Sequence, residues 1–269
     1  MFKIKKIEKN VLELLQFKSY TVHSIFKKVM NLVCDDHITS VVSCSVGMGP
    51  NRILLNDNLD FHRQNFKLHD LVTVVGNQIF IGQTPLLYQE FYEITPFKLQ
   101  EINMTQLSKV NIELMNYLQR LDDVNVLNYK ERRIGLIENY QFTLIEKFLV
   151  EPSLKHLEPI IGLGGGLTPI GDDIVHGYLM GLNILKQPNE GLLKEALKLC
   201  QKSSNLISYN IMLDGLNERY SDDFKLFFET FFNHYQLSQV HQIIKFGDSS
   251  GIGILCGLSV AIKNISKVE

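Results

Sequence analysis

At 269 residues, with 45% hydrophobic and 21% charged side chains, the chain is long enough for one large domain or two modest ones and has ordinary globular composition. A net charge of −2 and a pI near 6.5 argue against nucleic acid or an anionic membrane as the principal partner. The lysines of the first 30 positions are interleaved with apolar residues and read as a solvated face. MFKIKKIEKN is basic but is followed by no apolar core and no small-residue cleavage site, and no run reaches about 18 apolar residues. Neither a signal peptide nor a transmembrane helix is therefore expected. Cys34, Cys44, Cys200 and Cys256 form no CxxC pair and no zinc-type spacing. Cys34, Cys44 and Cys256 lie in apolar runs and read as buried small hydrophobes, so reduced thiols and a cytoplasmic home are expected.

In chain order, Ser19 to Val33 mixes β-branched, aromatic and basic residues, and Ile38 to Val46 is a strand by its β-branched content. That strand runs into the breaker Gly47–Asn51, after which Arg52 to Leu55 resumes an apolar run. Leu71 to Gly82 is two short runs around Gly76-Asn77, a tight hairpin. From Ile102 the period changes. Thr105 to Gln119 and Arg133 to Val150 carry apolar residues at helical spacing, and Ile174 to Leu185 is apolar nearly all round, a buried helix. Leu192 to Leu206, Phe224 to Tyr235, Leu237 to Phe246 and Ile252 to Ile262 complete the helical part. The expectation is an α+β fold with a β-rich part over residues 1–100 and a helical part over 101–269, packed without a Gly/Pro/Ser linker.

The stretch Gly162 to Asp173, GLGGGLTPIGDD, concentrates Gly162, Gly164, Gly165, Gly166 and Gly171 with Thr168, Pro169 and the pair Asp172-Asp173. Such a cluster costs backbone entropy and is kept where the chain must turn sharply or lie against a ligand. A glycine loop entering a helix points free N–H groups at one spot, which suits phosphate or another anion. Two adjoining carboxylates would repel a bare anion. They fit a ligand with an amide NH2 to donate, or one bridged by Mg2+, with Asp172 and Asp173 as metal ligands. One aspartate is expected to cap the following helix. The loop lacks the Walker A lysine and the last glycine of GxGxxG, and no strong strand precedes it.

Two further loops share this texture. In Gly247–Gly253, GDSSGIG, Asp248, Ser249 and Ser250 are candidates for capping a helix or for touching a ligand. In Gly47–Arg52, GMGPNR, Asn51 and Arg52 stand beside glycines, and the Arg fork suits carboxylate or phosphate. His176 shares a helix face with Asp172 and reads as a core histidine with one nitrogen satisfied, with an Asp–His metal pair as the alternative. No GxSxG elbow and no activated cysteine are evident.

GLGGGLTPIGDDIVHGYLMGL resembles the GLGpGLTPsGDDfLxG signature of an uncharacterised-domain family that includes the AllH-type subunit of oxamate carbamoyltransferase. The other two loops resemble that family's glycine-proline loop and its GhtSGxDxLxG loop, with Asp248 at the usual His place and Gly253 at the usual Asp place. The resemblance implies a subunit working in purine or allantoin catabolism, where a carbamoyl group passes between oxalurate and phosphate, with other subunits as partners. It implies a substrate site at Gly164, Gly165, Gly166, Thr168 and Gly171, with Asp172 and Asp173 as catalytic groups. From the residues we add Asn51, Arg52, Ser249 and Ser250 as substrate contacts. Two alternatives stay open: a Mg2+-dependent hydrolase or phosphotransferase using Asp172 and Asp173, and a non-catalytic metabolite-binding subunit. Under every reading the three loops are expected to share one pocket.

Overall fold

A computed structural model describes residues 2–203, 206–247 and 249–266. The fold is α+β, in two compact units: Met1–Pro96 with Arg219–Asp222, and Phe97–Glu218 with Asp223–Glu269.

The first unit runs β1 (Phe2–Glu8), α1 (Lys9–Phe17), β2 (Tyr20–Ile25), β3 (Val29–Cys34), β4 (His37–Val42), β5 (Arg52–Leu55), β6 (Leu71–Val75), β7 (Gln78–Ile81), β8 (Thr84–Leu87) and β9 (Phe91–Tyr92). The strand order is β5-β4-β3-β2-β6-β7-β8-β1, and β1 pairs back onto β5, so eight strands close into a barrel. Strand β9 continues along the edge of β1 that β8 leaves free. Closure leaves no long open edge in the ring. Alternation sets the two faces: Val72, Ile79, Ile81 and Leu86 are buried inside, while Leu71 and Val75 face out. The β6–β7 hairpin turns at Gly76-Asn77, and of these two only Gly76 takes a positive φ, +59°.

The second unit contains α2 (Met104–Gln119), α3 (Leu136–Val150), α4 (Leu154–Leu157), α5 (Ile170–Ile184), α6 (Glu190–Ser203), α7 (Leu206–Leu216), α8 (Asp222–Phe228), α9 (Val240–Ile244) and α10 (Ser250–Ile265). Helix α8 continues as a π turn over Glu229–Asn233, where Phe224, Phe227, Phe228, Phe231 and Phe232 are all buried. Helices α5 and α10 form the centre and run parallel. Gly253 lies against Asp173, Gly257 against the Ile174 carbonyl, Gly177 against the Ile254 carbonyl and Gly181 against Ala261. A Cβ at Gly177 or Gly257 would stand 2.0 or 2.1 Å from a carbonyl oxygen of the other helix. The glycines therefore permit the close approach of two helices that are apolar on nearly every face.

Several elements differ from the sequence expectation. The N-terminal part contains α1, whose apolar Val11, Leu12 and Leu15 pack into the barrel core. Helix α7 was not foreseen, because its burial is not periodic. Cys44 is exposed, not buried, since it falls in the turn after β4 rather than within the strand; Cys200 and Cys256 are buried, and Cys34 is half-buried. Among the described residues no helix is long and apolar enough to cross a membrane.

Candidate functional site

The glycine loop is the approach to α5. Helix α5 begins at Ile170, with Pro169 at its N-cap and no side-chain cap, so Asp172 and Asp173 lie inside the first turn rather than at the cap. Proline suits this end, where its missing N–H has no intrahelical role. The carboxylate of Asp172 reaches back and accepts the Gly162 N–H at 2.7 Å, while the Gly171 N–H donates to the Leu163 carbonyl at 3.0 Å. A Cβ at Gly171 would stand 1.9 Å from the Ile160 carbonyl oxygen, so the helix start is seated directly on the preceding turn. Gly164 takes φ +111° and leaves room for the Ile170 side chain and backbone N. Gly165 and Gly166 are exposed and face open space.

Asp173 is buried, at 3% exposure. Above it the half-buried hydroxyls of Thr168 and Ser250 meet at 2.7 Å, and Thr168 Oγ1 donates to Asp173 Oδ2 at 3.3 Å. The Ser250 hydroxyl also hydrogen-bonds to this carboxyl. Burial pushes the Asp173 carboxyl up to about 8, against the opposing pull of the Ser250 and Thr168 hydrogen bonds and with a further push from the Asp172 charge. At neutral pH Asp173 is therefore largely a neutral acid.

Ser250 opens α10, whose N-cap Ser249 makes no side-chain cap bond. The Thr168–Ser250 contact therefore brings together the N-termini of two long parallel helices, with Gly164, Gly165, Gly166, Thr168, Gly171, Asp172, Asp173, Ser249 and Ser250 around them. Both positive dipole ends and both hydroxyls address one place, which favours a ligand with an anionic group. Asp248 lies outside the described residues.

Asn51 and Arg52 belong to the barrel unit. Asn51 is buried with φ +52°; its N–H donates to Glu8 Oε2 at 2.6 Å and its Oδ1 accepts from Arg219 at 3.2 Å. Arg219 also pairs with Glu8 at 2.6 Å. Arg52 donates to the Gly47 carbonyl at 3.3 Å, and a Cβ at Gly49 would stand 3.0 Å from its guanidinium. Glu8 and Arg219 are thus central to this loop, and sequence reasoning missed both. They lie 211 positions apart, and no local spacing links them.

His176 does not have the one satisfied nitrogen expected of it. Both ring nitrogens are out of solvent with no hydrogen-bond partner, and burial pushes its pKa down to about 4. The Cys200 thiol is pushed up to about 12 by burial and by the Asp172 charge. For a metal, the donor set is thin. Asp172 and Asp173 are engaged by protein N–H and O–H groups, and among the described residues no three His, Cys, Asp or Glu side chains are grouped to hold an ion.

Residues 3–91 match the AllH family N-terminal domain, and residues 160–262 match the oxamate carbamoyltransferase subunit AllH. The chain belongs to the AllH family. The N-terminal match falls within the barrel unit, and the other spans α5 to α10 with the glycine loop at its start. No curated protein and no solved structure matches the chain. In this AllH-family chain Gly253 packs beside the buried acid, where a Cβ would stand 3.0 Å from Asp173 Cβ.

Proposed function

We propose that this chain is a subunit of an oxamate carbamoyltransferase-like enzyme and that the glycine loop of α5 and the start of α10 hold the carbamoyl group and the phosphate between which it passes. The observation that carries the reading is the 2.7 Å contact of Thr168 with Ser250, which joins two loops 82 positions apart over one buried carboxyl. Attack of phosphate on a carbamoyl carbon builds negative charge on a crowded centre, and catalysis there rests on positioning and on N–H groups aimed at that charge. Two helix N-termini supply such groups. Asp173, as a neutral acid, adds no charge at a place where an ionised carboxylate would repel phosphate. In this reading other subunits complete the enzyme. The site then acts in the cytoplasm, in purine or allantoin catabolism.

The test is thermal unfolding with phosphate, carbamoyl phosphate and oxamate, each with and without Mg2+. A ligand at 100 times its Kd adds about 2.7 kcal/mol of stability. Absence of a shift with all of them would sink the reading. Metal-dependent shifts abolished by Asp173→Asn would favour a Mg2+-dependent hydrolase or phosphotransferase instead. The alternative is a metabolite-binding subunit without catalysis. Binding without turnover in the assembled enzyme would select it.

A further inference from the structure

Asp173 is the acid of this site, yet at 3% exposure it does not reach a ligand itself. Its carboxyl is linked outward through two half-buried hydroxyls, Thr168 Oγ1 at 3.3 Å and Ser250 Oγ, which in turn lie 2.7 Å apart. Ser250 stands at the first residue of α10, opposite Gly247, where a Cβ would come within 3.0 Å of its Oγ. Glycine at 247 thus keeps the space in front of that hydroxyl clear.

The reaction proposed above needs a proton at one particular atom. When a phosphate oxygen bonds to the carbamoyl carbon, the bond from that carbon to the donor's amide nitrogen breaks and the electron pair stays on nitrogen. An amide anion is a very poor leaving group unless it is protonated as it departs, and a positioned acid contributes roughly 100-fold to 10,000-fold in such steps.

We propose that Ser250 is a catalytic proton relay: its hydroxyl gives a proton to the departing amide nitrogen while taking one from Asp173. The proton lost by the attacking hydrogen phosphate restores Asp173, so atoms and charge balance over the turnover. The inference rests on the carbamoyl-transfer reading of the site. It assigns contact with the substrate to Ser250 and makes Asp173 the proton source behind it.

The experiment compares two carbamoyl donors in the assembled enzyme, with phosphate as acceptor. One is the amide donor oxalurate. The other is p-nitrophenyl carbamate, whose phenolate leaves without a proton. Ser250→Ala is expected to lower kcat on the amide donor by ~100-fold or more, with KM little changed. On the activated donor the loss should shrink to a few-fold. Ser250→Thr, which keeps a hydroxyl, is expected to recover much of the amide-donor rate. A retained thermal shift with inorganic phosphate shows that each variant is folded. Equal losses on both donors, or no loss on either, would overturn the relay while leaving the binding reading intact. A wild-type enzyme that moves no carbamoyl group from either donor would overturn the carbamoyl-transfer reading, and the relay with it.

Discussion

Two glycine-rich loops of similar texture end in different physics. In the barrel unit, Gly47–Arg52 is closed on itself: Glu8, Arg219 and Asn51 bond one another, and Arg52 bonds its own loop. In the helical unit, Gly162–Asp173 buries an acid and leads it outward through two half-buried hydroxyls. Polar residues beside glycines mark both loops in the sequence. What separates them is where the hydrogen bonds go: inward and mutual in the first loop, outward in the second. Similar residue types thus give one loop that closes on itself and one whose hydrogen bonds lead outward.

The largest effect is expected at Gly171. A Cβ there would meet the Ile160 carbonyl at 1.9 Å, and backbone cannot yield as a side chain does. Gly171→Ala should destabilise by about 3 kcal/mol or more by overpacking, seen as a lower urea midpoint, and should abolish phosphate-dependent stabilisation. Glu8→Ala should cost about 3 kcal/mol, because it leaves Arg219 without its buried partner, yet it should spare the phosphate shift if the barrel loop is structural. Loss of that shift in Glu8→Ala would erase the contrast.

The Asp173 carboxyl is raised from 3.8 to about 8, so between those values the folded state binds more protons than the unfolded one. Its stabilising contribution is complete below 3.8 and is lost as pH rises toward 8. His176 works in the opposite sense. Its pKa is lowered from 6.5 to about 4, so its contribution is present above 6.5 and is lost as pH falls toward 4. Stability measured from pH 6.5 to 8 should therefore fall with a slope that belongs to Asp173, and Asp173→Asn should flatten it. A slope unchanged in that variant would remove Asp173 as the titrating group.

Gly253→Asp is expected to cost about 1–3 kcal/mol by crowding Ile170 and Asp173, and to weaken phosphate binding by adding a charge beside the acid; a gain of turnover would instead favour the metabolite-binding reading of the present chain. The smallest effect is expected for Arg52→Lys. It exchanges the guanidinium bond to the Gly47 carbonyl for an ammonium and should change stability by less than about 1 kcal/mol.

Much of the fold is legible in the sequence. The hairpin at Gly76-Asn77 follows from turn chemistry, and α2, α3, α5 and α10 follow from helical spacing or continuous apolar runs, all set within the chain's local order. The GLTPIGDD loop stands out for a local reason too, since five glycines and two acids in twelve residues exceed what a turn needs. Tertiary structure decided the rest. Only the parallel packing of α5 on α10 brings Ser250 to Thr168, and only burial under both helices converts one of two equal aspartates into a raised acid while the other holds the Gly162 N–H. Likewise only barrel closure and the return of Arg219 give Glu8 its partner. Propensity and turn chemistry act over a few residues, so the sequence states them openly. Burial and pairing act between segments brought together by folding, and they set the pKa of Asp173 and the hydroxyls that cover it.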